Sequence, residues 1–173
     1  MHVRSLLFGW ICVALPLGVA AAQQRTLTVN PQTSQVQFTL SDPLHMVNGT
    51  FHVQQGSIVF EAADGSMQGG IAVDAASGQS GNSTRDKKMT TEQMQAAKFP
   101  TVRFAPKRFT GRLNPTGDSN INIAGTFVLL GQSHEITVPM QVHLDGSGCR
   151  ATGSFTVPYV QWGMKDPAFF CCM

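Results

Sequence analysis

Histidine and cysteine are the side chains in this sequence best placed to carry a proton, a nucleophile or a metal, and their spacing decides which chemistry is within reach. Beyond the N-terminal stretch the histidines are His45, His52, His134 and His143. None stands in a His-x-His or His-Glu-x-x-His arrangement, so no single strand or helix supplies two metal ligands. A hydrolase triad needs its nucleophile on a sharp turn, and no Gly-x-Ser-x-Gly elbow is present. Gly69-Gly70 and Gly78 to Gly81 lack the spacing of a phosphate-cradling or dinucleotide loop and are turn material. His134 and Glu135, adjacent after a turn, are expected to be a loop pair rather than a base and its orienting carboxylate. The cysteines past Cys12 are Cys149, Cys171 and Cys172. Two adjacent thiols close only a strained ring, so a bridge from Cys149 to either one is the easier pairing. Cys171 and Cys172 with Met164 and Met173 form a conceivable soft-metal set, but incidental thiols on a tail are the simpler reading. No catalytic residue, metal or cofactor is therefore expected.

The chain has 173 residues, 42% hydrophobic and only 13% charged, with 12 Lys and Arg against 10 Asp and Glu. Soluble domains carry about 25% charged residues. No run of basic residues exceeds a few positions, which argues against a nucleic-acid surface. Part of the deficit is N-terminal. A positive start ending at Arg4, an uncharged apolar run from Ser5, and Ala20-Ala21-Ala22 are the three parts of a secretory signal cut after Ala22. Residues 1–22 are expected to be that signal and 23–173 a single domain, periplasmic or secreted. A retained anchor is the rival reading, because Ser5 to Ala22 nears the length of a span.

The remainder reads as strands. Ile136, Val138, Met140, Val142 and Leu144 occupy every second position, so one face of that segment is buried and the other wet. The same alternation marks Val36 to Leu40, Phe51 to Val53, Ile58 to Phe60, Ile71 to Val73, Val102 to Phe104, Ile121 to Ile123 and Phe155 to Tyr159. Turn formers such as Asn48-Gly49, Asp64-Gly65, Gly131-Gln132-Ser133 and Asp145-Gly146 lie between them. Short alternating strands joined by tight turns make an antiparallel all-β meander, either a sandwich or a barrel. One stretch departs from this. Residues 83–98 are rich in helix formers and free of Gly and Pro, Thr90 with Gln93 fits a capping box, and Pro100 ends the segment. One or two short helices are expected there.

The ordered motifs resemble the YceI-like family. His45-Met46-Val47-Asn48-Gly49-Thr50-Phe51 is similar to its His-x-Val-x-Gly-x-Phe strand, and Gly81-Asn82 before Arg85-Asp86 to its Gly-Asn step and Arg-Asp pair. Lys98-Phe99-Pro100-Thr101-Val102-Arg103-Phe104 resembles its aromatic-Pro-Thr strand, Ile123 to Pro139 its central hairpin, and Gly153-Ser154-Phe155 with Trp162 to Pro167 its closing Lys-x-Pro stretch. The resemblance runs from about Thr26 to Pro167. It implies a lipocalin-like extended antiparallel β-barrel whose closing C-terminal strand is short or missing, since the chain stops at Met173 where the family continues.

It also implies a non-catalytic carrier that holds a long apolar ligand, a polyisoprenoid, quinone or fatty-acid-like lipid, in the barrel interior. By that analogy Phe38, Phe51, Val53, Phe60, Val73, Met89, Phe99, Phe104, Phe127 and Phe155 line the lumen, and His45, Arg85 and Asp86 form a polar mouth. Arg85 and Asp86 have a second reading, as a pin between the helical segment and the barrel. Two other functions stay open. One is an enzyme acting on a lipid in the same cavity, with His134, His45 or a cysteine as base or nucleophile. The other is an interaction module whose open edge takes another strand, including that of a second copy of this chain.

Overall fold

The computed structural model describes residues 24–41, 46–146 and 148–165. Alternation in the sequence becomes eight antiparallel strands in one sheet: β1 (Gln24–Thr28), β2 (Gln35–Ser41), β3 (Met46–Glu61), β4 (Met67–Asp74), β5 (Thr101–Thr110), β6 (Gly117–Leu129), β7 (Gln132–Asp145) and β8 (Gly148–Gly153). β3 through β8 form a meander in which each strand pairs with the next. β1 and β2 follow one another along one edge of β3, while β4 and then Gln79 take the other edge. The sheet curls into a half-barrel of the expected lipocalin-like kind. Among the described residues β8 pairs only with β7.

β3 joins two stretches that the sequence pattern separates. Phe51 and Val53 face inward at odd positions, and Ile58 and Phe60 face inward at even ones. The change of phase falls at Gln54, the extra residue of a bulge between the pairs Val53–Val73 and Gln55–Ala72. β5 repeats the device at Lys107, so that Phe104 and Phe109 both face inward opposite Phe127 and Ile123. A bulge adds one residue without a partner and bends the strand, which curls the sheet while keeping its apolar face on one side.

Two apolar clusters fill the concave side. One gathers Phe60, Met67, Phe109, Ile121, Val142 and Leu144 at the end where β1 crosses β3. The other gathers Ala75, Met94, Ala96, Val102, Leu129 and Leu130 at the opposite end. The helical segment closes this second end. Its helix α1 (Ser83–Lys88) begins at Asn82, whose side chain accepts from the Arg85 backbone N–H at 3.1 Å. A π-helical turn, Met89–Gln93, follows directly. The capping box expected at Thr90 is therefore not formed. The start is about two turns earlier, where Asn82 accepts from the Arg85 N–H with its side chain and from the Asp86 N–H with its carbonyl, and the Thr90 hydroxyl instead reaches the Ala76 carbonyl at 3.5 Å. Helix ends at Gln93, and the rest of the expected stretch, 94–98, holds no helix and closes in a turn at 96–98.

The β6–β7 hairpin turns on Leu130 and Gly131, with φ of 50° and 73°. Two successive left-handed residues match the twist of the strands they join. Gly131 has a further reason to be glycine, since a Cβ there would stand 2.7 Å from the Phe99 ring. The strand expected from Phe155 to Tyr159 is not formed: residues 154–158 have no regular structure. Pro158 has no N–H to give a ladder, and the chain leaves the sheet after Gly153 to lay Val157, Trp162 and Met164 against the second cluster.

Candidate functional site

The helix-capped end of the half-barrel concentrates most of the side chains that the sequence nominated. Phe51, Val73, Met89, Phe99 and Phe127 all pack against the cluster there, each only partly buried. They arrive from five different places: β3, β4, the π-helical turn, the segment before β5, and β6. The loop after β4 brings the cap down onto them. Ala75 is fully buried, its N–H donating to the Pro100 carbonyl at 3.0 Å. A Cβ on Gly78 would collide with the Met89 methyl and stand 2.8 Å from the Phe51 ring, so only glycine lets this loop approach.

Phe38 extends the apolar surface along β2. It lies opposite Gly49, with its ring centroid 5.4 Å from that of Phe51. Val53 is buried opposite Val73 just before the bulge. Phe155, 38% exposed, sits over Phe127 edge to face, centroids 5.2 Å apart. Two nominated residues belong to the other end. Phe60 is buried in the first cluster against Phe109, and Phe104 packs on the same cluster. The structure thus divides the nominated row between the capped end and a packed core.

The polar candidates divide too. Arg85 and Asp86 close on the same residue from two sides. The Arg85 guanidinium donates to the Ser80 hydroxyl at 2.7 Å and to its carbonyl at 2.9 Å. An Asp86 carboxylate oxygen accepts from the Ser80 backbone N–H at 2.8 Å and from the Ser80 hydroxyl at 2.5 Å. Here the pair ties the start of α1 to the loop in front of it. His45, the expected signal segment, Cys171, Cys172 and Met173 lie outside the described residues.

His134 and Glu135 are strand residues, not a loop pair, and they face opposite ways. The period of two that places Ile136 and Val138 inward also places His134 inward. There its imidazole lies parallel to the Trp162 indole, with ring centroids 3.9 Å apart. Its Nε2 is closed off from solvent with no hydrogen-bond partner. Glu135 faces outward and accepts from Lys107 Nζ at 2.8 Å and from the Thr126 hydroxyl at 2.7 Å. The Lys107 contact first, and then Thr126, hold its carboxyl below the ordinary value. On β8, partial burial and then the Asp145 charge push the Cys149 thiol up. Among the described residues no three His, Cys, Asp or Glu side chains come together as a metal-binding group.

Two residues at the capped end were not among the site candidates read from the sequence. Trp162 covers Phe127 from the tail segment, with ring centroids 5.9 Å apart. Gln93 ends the π-helical turn with both carboxamide atoms closed off from solvent and unpartnered. A buried polar atom without a partner costs about 1–3 kcal/mol. Gln93 reads in sequence as a capping-box partner, and only the fold reveals that its amide end is enclosed while the residue as a whole is half-buried.

Recesses of the described surface include two away from the helical cap. One of about 200 Å³ lies between Arg25 to Leu27 of β1 and the β7–β8 turn at Gly146 and Gly148. The other, about 470 Å³ and open, lies beside Met140 where the chain leaves β8 at Gly153 and Ser154. Neither belongs to the capped end.

A curled antiparallel sheet with an aromatic concave face and a helical cap at one end is the lipocalin-like half-barrel class. Residues 27–170 match the YceI-like domain. The chain belongs to the YceI-like family. It is similar to a Campylobacter jejuni YceI protein of known crystal structure, at 21% identity and TM-score 0.50, over 70% of this chain and 71% of that one. It is also similar to Burkholderia cenocepacia BcnA, at 15% identity and TM-score 0.43, over 75% and 74% of the two chains. At 21% identity the likeness to the Campylobacter jejuni protein concerns the fold. No curated protein matches the chain.

Proposed function

We propose that this protein is an exported, non-catalytic carrier whose concave face holds a long apolar ligand, a polyisoprenoid, quinone or fatty-acid-like lipid. The observation that carries this reading is the incomplete burial of the capped end. Phe51, Met89, Phe99 and Phe127 meet there from separate elements, yet no large side chain among the described residues falls below 2% exposure. Fully burying one such side chain is worth about 1.5–3 kcal/mol, and part of that gain is left for a bound chain to supply. Closed barrels of about eight strands are wide enough to hold one small ligand, and a sheet curled the same way offers the same kind of concave face. The N-terminal segment favours export, with cleavage after Ala22 and a periplasmic or secreted domain from 23 onward.

The test is direct. Protein purified from the periplasmic fraction should begin at Gln23, and organic extraction followed by mass spectrometry should recover one apolar lipid per chain. Protein that yields no lipid, and takes none up from vesicles, would overturn the reading.

A further inference from the structure

Resting on that reading and extending it, we propose that Gln93 takes the polar head of the bound lipid, and that the head is a neutral group that both donates and accepts a hydrogen bond, as an alcohol does. Both Nε2 and Oε1 of Gln93 are closed off from solvent, and neither has a partner. Buried polar groups are almost always paired within a protein, so a carboxamide with both ends unpaired asks for a partner that the chain itself does not supply. A leucine or methionine would occupy the same space without that cost.

The place of Gln93 fits a binding role. It lies between Met89 and Met94, both at the capped-end cluster that the proposed chain would occupy. It ends a π-helical turn, held by the Met94 N–H donating to the Met89 carbonyl at 2.8 Å. Such widened turns recur at functional sites. Two residues on, Gln95 adopts φ 47°, a left-handed conformation that non-glycine residues hold only when their surroundings enforce it. A second unpaired atom, His134 Nε2, borders the same cluster through Trp162.

Matching donors to acceptors defines the head. A hydroxyl oxygen accepts from Gln93 Nε2 while its proton is donated to Oε1, so one small group satisfies both atoms. A quinone carbonyl or an ether accepts only and leaves Oε1 unpaired. A hydrocarbon end satisfies neither. A phosphate or carboxylate head would bring a charge that a neutral amide does not balance.

The experiment is a competition. Full-length processed protein, stripped of lipid, is incubated with phosphatidylcholine vesicles containing equal amounts of oleyl alcohol, its methyl ether and the corresponding hydrocarbon. The protein is re-isolated and its cargo quantified by mass spectrometry. The unaltered protein is expected to favour the alcohol over the hydrocarbon roughly tenfold, with the ether between them. Gln93→Leu should bring the three to near parity, keep total loading within about twofold, and melt at a higher temperature when empty. Gln93→Met, with the same reach and no hydrogen-bonding amide, should behave alike and serves if the leucine variant does not fold. An alcohol preference that survives substitution, or an equal loss of all three compounds, overturns the assignment and leaves the carrier standing. If the unaltered protein loads none of the three, the carrier reading falls and this inference with it.

Discussion

The His134 imidazole lies flat on the Trp162 indole, with centroids 3.9 Å apart and planes within 6° of parallel. The contact joins β7 to the irregular tail that follows β8, and the two residues are far apart in sequence. Trp162 also covers Phe127, the residue across the ladder from His134. One indole therefore seals the tail over the capped end. A tail with no ladder hydrogen bonds depends on such ring contacts together with the packing of Val157 and Met164 to keep it in place.

Trp162→Ala should accordingly loosen the tail and uncover Phe127. Removing a partly buried indole and its ring contacts should lower stability by about 2–4 kcal/mol. Urea unfolding measures the loss. Hydrogen exchange should show faster exchange at residues 157–164 than in β6, and equal exchange in both would rule out a sealing role.

Asp86 should matter through Ser80. Asp86→Ala frees the Ser80 N–H and hydroxyl and leaves the Arg85 guanidinium without the neighbouring carboxylate. The pair is partly solvated, so a loss of about 1–2 kcal/mol is expected. Ser80→Ala should cost less, since the backbone N–H to Asp86 and the Ser80 carbonyl to Arg85 survive. Thermal melts of the two variants would show this order; the reverse order would contradict the clasp.

Glu135 gives a pH dependence of defined sign. Lys107 first, and then Thr126, hold its folded carboxyl below the unfolded value. A depressed carboxylate contributes stability that is present above the unfolded pKa and lost as pH falls through the folded one. Stability should therefore decline as acid is added below the ordinary carboxylate range. Glu135→Gln should flatten that part of the curve and lower neutral-pH stability by the same small amount, because both partners are exposed. Urea midpoints across the acid range for the two proteins provide the measurement, and superimposable slopes would count against the contact.

The alternation of apolar residues from Ile136 to Leu144 is enough to predict a half-buried strand, and the ordered Gly, Pro and aromatic motifs are enough to indicate the family. Such signals are local, because side-chain direction in a strand repeats every two residues whatever lies around it. Carried two residues further back, the same period puts His134 inward, although the turn before it suggested a loop pair. Three features were beyond its reach. The bulge at Gln54 shifts the phase inside β3, so a single strand reads as two. Phe155 to Tyr159 alternates like a strand but leaves the sheet, because ladder pairing depends on a partner and Pro158 cannot give one a hydrogen. Phe60 and Phe127 look alike in the sequence, yet one is packed core and the other lies at the capped end.

What the sequence determined by itself is therefore the period, the turns and the family: an antiparallel curled sheet with a helical interruption between β4 and β5. What only the tertiary structure decided is which inward residues share a site, that Arg85 and Asp86 close on Ser80, and that the Gln93 amide is enclosed with nothing to bond. Pairing, enclosure and solvent access are properties of groups brought together from distant positions, and no local pattern encodes them.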